Sequence, residues 1–271
     1  MPTPFLAARG GRLARIIACA LGILVAGASG AFAQQDMPAC TTGPVVSLKT
    51  PRAAQALATK RSLTIVAIGS SSTVGVGASS GARTYPAILE ALLRARFPGT
   101  DITVINRGVN AEDVPENLAR FQRDVEALKP DLVLWQVGTN YVIRSFGVGN
   151  FGPLLRQGID AIQGWGADVV LIDLQYSPWV NDKPNRPAIN ELIASTARNA
   201  GASMFPRYAL MRGWVEQQKI PASRLLIFDG LHLNDWSYDC FARALAASLI
   251  PALASRPRAQ ASPSPSTSTM E

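Results

Sequence analysis

Between Ser62 and Leu253 the chain alternates short, almost unbroken apolar runs with longer stretches whose apolar side chains recur every three or four residues. The short runs are Leu63 to Gly69, Ile102 to Asn106, Leu132 to Val137 and Val169 to Leu174, with a weaker one from Ser203 to Phe205. Their Val, Ile and Leu content predicts β-strands. Because consecutive positions are apolar, and not every second one, these strands are expected to be covered on both faces, as in a parallel sheet. The longer stretches predict helices over Tyr85 to Arg96, Val114 to Leu128, Leu154 to Trp165 and Pro187 to Asn199, then a last one from Asp235 to about Leu253. Pro98-Gly99 follows the first of them and Lys129-Pro130 stops the second. Strand and helix in this alternation predict one three-layer α/β domain over residues 61–254, with helices on both sides of the sheet.

The ends of the chain read differently. Residues 1–33 contain Arg9, Arg12 and Arg15 and no acid, then an apolar run from Ile16 to Ala26, then Ala31-Phe32-Ala33. A basic start, an apolar middle and a small-x-small site predict a Sec-type signal peptide cleaved before Gln34. The competing reading is a membrane anchor, for which the run is of borderline length. Its Gly and Ser content and its cleavage site favour removal, leaving no stable span and a periplasmic or secreted protein. Residues 34–60 form an N-terminal extension with a helix expected over Arg52 to Lys60. Residues 255–271 are rich in Pro, Ser and Thr and too poor in apolar surface to order themselves, so they are expected to be a disordered tail.

Charge and rare residues narrow the chemistry. The 26 Lys and Arg exceed the 19 Asp and Glu by seven, and three of those seven charges lie in the expected signal peptide. The remaining basic residues are scattered, without the stripe a nucleic-acid partner needs. A single histidine and three cysteines, none in a C-x-x-C pair, exclude a multi-histidine zinc site and a thiolate knuckle, so no metal is expected. The glycine-rich segment from Val74 to Gly81 matches neither common phosphate-loop spacing, and no cofactor is expected. Export would place Cys40 and Cys240 in an oxidising compartment, where they either pair as a disulfide or remain two free thiols, one of them buried.

In an open parallel sheet, ligands bind beyond the carboxyl ends of the strands. Four such junctions here carry polar or flexible residues: Gly69-Ser70-Ser71-Ser72-Thr73-Val74-Gly75, Asn106-Arg107-Gly108, Gly138-Thr139-Asn140, and Phe228-Asp229-Gly230-Leu231-His232 before the last helix. Singly, each reads as a cap or a tight turn. Together they supply a nucleophile (Ser71), a general base (His232), an acid that orients the base (Asp229), and oxyanion donors in the N–H groups of Ser71 and Gly108 and the Asn140 amide.

The same four blocks resemble those of the SGNH hydrolases, also called GDSL esterases and lipases. That family's Gly-Asp-Ser-x-x-x-Gly corresponds to Gly69, Ser71 and Gly75; its second-block glycine to Gly108; its Gly-x-Asn-Asp to Gly138 and Asn140; and its Asp-x-x-His to Asp229 and His232. Two positions depart from the pattern: Ser70 stands where the family has aspartate beside the nucleophile, and Tyr141 replaces the last aspartate of the third block. Gly69 and Gly75 frame Ser71 as the nucleophile, with Ser72 as the alternative. The resemblance implies a flavodoxin-like sandwich of five parallel strands in the order 2-1-3-4-5, and carboxylic-ester hydrolysis.

For the substrate, an exported chain with no large apolar insertion points to small acyl groups, with O-acetyl groups on polysaccharide first. Tyr176 and Trp179, in the loop after the fourth strand, are expected either to line the substrate cleft or to close the core beneath it. A lysophospholipase or thioesterase, an O-acetyltransferase on the same site, and a catalytically silent polysaccharide-binding module are the alternatives.

Overall fold

A computed structural model describes residues 37–255; the expected signal peptide and the tail beyond Ser255 lie outside the described residues. Five strands, β1 (Ser62–Gly69), β2 (Asp101–Gly108), β3 (Leu132–Gln136), β4 (Asp168–Ile172) and β5 (Ser203–Phe205), form one sheet in the order β2-β1-β3-β4-β5. All four neighbouring pairs are parallel. Every residue of β3 and of β4 is buried, which is why both read as apolar runs, with Gln136 and Asp168 as their polar ends.

Side chains alternate between the two faces of each strand. On one face Val66, Ile68, Val133, Trp135, Val169 and Leu171 join a single apolar cluster with Leu155, Ile159 and Ile162 of α7 (Phe151–Gly164) and Ile189 and Ile193 of α9 (Arg186–Asn199). Gly158 lets α7 lie directly on the Trp135 ring, since a Cβ there would meet the indole at 2.3 Å. The opposite face buries Leu63, Ile65, Ala67, Leu132, Leu134, Val170 and Ile172. There α12 (Asp235–Ala254) packs against α3 (Tyr85–Arg96) and α1 (Pro51–Lys60), and Phe241 meets Tyr85 with ring centroids 4.8 Å apart. The result is the expected three-layer α/β/α sandwich.

The N-terminal segment is fastened to α12 and α10 (Arg207–Glu216). Cys40 and Cys240 are disulfide-bonded with their Cα atoms 5.4 Å apart. The Trp236 and Trp214 indole N–H groups donate to the carbonyls of Pro38 and Thr41, both at 3.1 Å. Among the described residues no helix is long and apolar enough to cross a membrane.

Two expectations about helices need correction. The single helix expected over Val114 to Leu128 is broken into α4 (Val114–Ala119), α5 (Phe121–Asp124) and a 3-10 turn. The break falls at Arg120, whose backbone leaves helical geometry and whose buried side chain pairs with Glu112 at 2.6 Å and Asp124 at 2.8 Å. Helix α10 was not anticipated, although Tyr208, Met211 and Trp214, all buried, carry a spacing of three that marks its inner face.

Candidate active site

The sheet topology locates the crevice. β2 lies on one side of β1, and the chain then crosses back to place β3 on the other, so the carboxyl ends of β1 and β3 border the point where strand order reverses. Ser71 opens the short helix α2 (Ser71–Val74) at that point. Gly69 permits the approach: a Cβ there would sit 2.8 Å from Gln136 Cβ and 2.7 Å from Thr73 Oγ1.

Across the crevice, the segment before α12 brings up the other two groups. His232 Nε2 lies 2.9 Å from Ser71 Oγ, and His232 Nδ1 lies 2.6 Å from Asp229 Oδ2. An ionised carboxylate only accepts, so Nδ1–H donates to Asp229 and the Nε2 lone pair accepts the Ser71 hydroxyl. Asp229 Oδ1 accepts the backbone N–H groups of Leu231 at 2.8 Å and His232 at 2.9 Å, so one oxygen shapes the turn while the other orients the ring. Burial pushes the Asp229 carboxyl up, but the imidazole and these two N–H donors outweigh it and hold the group below the usual carboxylate range. The turn is braced further by the Ile227 N–H, which donates to the His232 carbonyl at 2.8 Å, and by the Trp179 indole N–H, which donates to the Asp229 carbonyl at 3.1 Å. The His232 and Asp229 side chains remain 17% and 30% exposed, so the pair is open to a ligand.

The two departures from the SGNH pattern have structural answers. Ser70 is buried, and both its N–H (2.9 Å) and its hydroxyl (2.7 Å) donate to Gln136 Oε1, which also accepts the Ser72 hydroxyl at 3.2 Å. A neutral amide oxygen at the end of β3 thus gathers the donors of the serine turn. At the third block, Asp113 comes from the loop after β2: its carboxylate accepts the N–H groups of Gly138 and Tyr141, each at 2.9 Å, and so pins the start of α6 (Thr139–Ile143). Burial raises the Asp113 pKa against the pull of these N–H donors. Tyr141 turns away from the crevice and packs on Phe151, with ring centroids 4.6 Å apart.

The expected oxyanion donors divide. Ser71 N–H has no partner among the described residues. Asn140 gives one amide hydrogen to the Glu112 carbonyl at 2.9 Å, and its second has no partner among the described residues. Gly108 does not fit the expectation: its N–H donates to Asn106 Oδ1 at 2.9 Å. What Gly108 provides is space, because a Cβ there would come 2.3 Å from Val74 N and 2.7 Å from the carbonyl carbon of Thr73. Gly108→Ala is therefore expected to cost about 3 kcal/mol through overpacking against backbone. That should lower Tm by roughly 6–12 °C for a domain of this size, read by thermal unfolding. A Tm within 2 °C of wild type would show that β2 and α2 can separate without cost.

Tyr176 and Trp179 also part company. Tyr176 packs against Tyr208 at 5.4 Å and belongs to the rim of the core. Trp179, on α8 (Pro178–Asn181), is 54% exposed beside Asp229, and Phe228, which opens the fourth junction and had no role assigned from sequence, is fully exposed. Gln136, Asp113 and Arg207 were likewise missed. Gln136 had one signal, a polar residue closing an otherwise apolar strand.

Comparison with known proteins bears on the fold and the family. The profile of the non-GDSL lipase-like family matches residues 39–255. An arylesterase from Vibrio mimicus is 32% identical over 97 residues, 35% of this chain and 47% of that protein. An acetylxylan esterase from Geobacillus stearothermophilus is 39% identical over 62 residues, 23% of this chain and 28% of that protein. The chain thus spans about half, or less, of the curated relatives it matches. Among solved structures, the Geobacillus stearothermophilus acetylxylan esterase Axe2 superimposes with a TM-score of 0.58 at 21% identity, covering 69% of this chain and 94% of that one. A two-domain esterase active on acetylated mannans reaches 0.67 at 18% identity, covering 80% of this chain and 57% of that one. The fold is that of the SGNH-type esterases, and the chain belongs to the non-GDSL lipase-like family.

Proposed function

We propose that this protein is an exported serine esterase that removes small acyl groups, acetyl first, from polysaccharide. The observation that carries the reading is the continuous Ser71, His232 and Asp229 relay, at 2.9 and 2.6 Å, at the switch point of the sheet. In the first half-reaction Ser71 Oγ attacks the acyl carbonyl carbon while its proton passes to His232 Nε2. Asp229 stabilises the imidazolium, and the developing oxyanion is met by Ser71 N–H and the free Asn140 amide hydrogen. Collapse breaks the C–O bond, and His232 returns the proton to the departing sugar oxygen, which leaves as a hydroxyl. Water then repeats the sequence on the acyl-serine and releases the carboxylic acid. Ala111 supplies a third donor in this reading. It neighbours Glu112, whose carbonyl holds Asn140, its N–H is unpaired among the described residues, and its φ of 63° is a strained value for a residue with a side chain.

The substrate class is supported by the relatives that act on acetylated xylan and mannan, and by the exposed faces of Trp179 and Phe228 beside the acid of the relay. Export is supported by the Cys40–Cys240 disulfide, which suits an oxidising compartment. The test is a panel of acetyl, butyryl and long-chain esters, a thioester and acetylated xylan, with Ser71→Ala as control. Ser71-dependent release of acetate, falling with acyl length, is expected; preference for long chains, or no Ser71-dependent turnover, overturns the reading. On acetylated xylan, Trp179→Ala should raise KM about fivefold, the worth of one aromatic contact of about 1 kcal/mol. An unchanged KM removes Trp179 from the substrate site.

A further inference from the structure

We infer that Arg207 is a positioning residue whose guanidinium sets the spacing between the turn that carries Ser71 and the helix that carries Asn140. It begins α10, directly after β5, and is completely buried. Its Nη1 donates to Ser72 Oγ at 2.9 Å, its Nη2 to Thr139 Oγ1 at 3.2 Å, and its Nε toward the Leu174 carbonyl at 3.4 Å. Ser72 adjoins the attacking residue, and Thr139 adjoins the oxyanion amide. One planar fork therefore touches both sides of the reaction centre at a remove of a single residue. Guanidinium geometry is rigid, so the two hydroxyls it holds cannot drift apart independently.

Direction matters as well as distance. Arginine only donates, so both hydroxyl oxygens must accept from it. The Ser72 hydrogen is then free to point to Gln136 Oε1, which also takes the N–H and hydroxyl of Ser70. The residues on either side of Ser71 are thereby held in one hydrogen-bonded chain running from Arg207 to Gln136. Ser72 is occupied in that chain, which leaves Ser71 as the hydroxyl facing His232.

Packing alone does not account for a cation at this position. Burying a charge is costly unless it is paired, and a hydrophobe of similar volume would avoid the cost. Among the described residues no carboxylate lies within ion-pair distance of Arg207. Asp173 is also fully buried, and burial pushes its carboxyl up against the pull of the Tyr208 N–H and of the Arg207 charge. Burial lowers the Arg207 pKa to about 10, which still leaves it protonated at neutral pH. Its two Nη groups are spent on neutral hydroxyls, one on each loop of the reaction centre.

The inference rests on the esterase reading, and the test separates the two. The full chain and its Arg207→Met, Arg207→Lys, Ser72→Ala, Thr139→Val and Ser72→Ala/Thr139→Val variants are assayed for kcat and KM on a small activated acetate ester, with thermal unfolding as the measure of folding. If wild type shows no Ser71-dependent turnover, the esterase reading fails first. Given that turnover, folded Arg207→Met should lose about 100-fold in kcat, the scale of a misplaced reacting group, with KM within twofold. Arg207→Lys keeps the charge but cannot span both hydroxyls, so it should recover less than a tenth of the wild-type rate. Wild-type kcat in either folded Arg207 variant overturns the inference. Where both fail to fold, the hydroxyl variants decide: two groups held by one fork should show a double-variant loss well below the product of the single losses. Losses that multiply independently, or singles that leave kcat unchanged, overturn it.

Discussion

Ser71→Ala and His232→Ala are each expected to lower turnover of a small activated acetate ester by about a thousandfold or more, with the double variant no worse than either single one. The reason lies in the count of groups as much as in their geometry. The chain has one histidine, so no second imidazole can take the Ser71 proton. The neighbouring Ser72 hydroxyl cannot replace the nucleophile, because it is buried and held between Arg207 and Gln136. Groups that act as one relay fail together, hence the expected non-additivity. Asp229→Asn belongs to the same series, since an amide permits the wrong imidazole tautomer; a loss of about ten-thousandfold is the scale for that change. Because Asp229 is held below the usual carboxylate range, it stays ionised as pH falls toward that range. Wild-type-like turnover in purified Ser71→Ala or His232→Ala would sink the triad.

The next largest effect is expected at Asn140. Asn140→Ala should reduce kcat about 100- to 1000-fold, roughly 3–4 kcal/mol of transition-state stabilisation, while KM changes little. One of its amide hydrogens is fixed on the Glu112 carbonyl, and that bond aims the other. The helix beneath it is pinned by Asp113 through Gly138 and Tyr141, so the donor is preorganised before substrate arrives. Steady-state kinetics with a thermal-unfolding control separate loss of the donor from loss of the fold. A kcat within threefold of wild type, in a variant of unchanged Tm, would remove Asn140 from the oxyanion site.

Much of this site was readable along the chain because its parts are local. Gly69 to Gly75, Gly138 to Asn140 and Asp229 to His232 are short blocks at strand or helix boundaries, and each carries its own turn chemistry. The strands were legible for a related reason: a strand buried on both faces leaves a continuous apolar trace. Gly108 shows where the reading fails. A glycine after a strand serves equally as a donor or as a gap, and only the close backbone of Val74 and Thr73 reveals the gap. The helix break at Arg120 has the same character, since Glu112 on the preceding loop and Asp124 across the break draw the side chain inward.

Left to itself, the sequence determined the layered fold, the order of the chemical blocks and the choice of Ser71, His232 and Asp229 as candidate nucleophile, base and acid, because periodicity and turn composition are properties of neighbours in the chain. Only the tertiary structure decided how the two missing acids are replaced. Gln136 receives the donors of Ser70 from 66 residues away, Asp113 pins Tyr141 from 28, and Arg207 reaches Ser72 from 135. Such bonds leave no periodic trace, since a buried polar side chain is satisfied by whatever the fold brings opposite it, however distant in the chain.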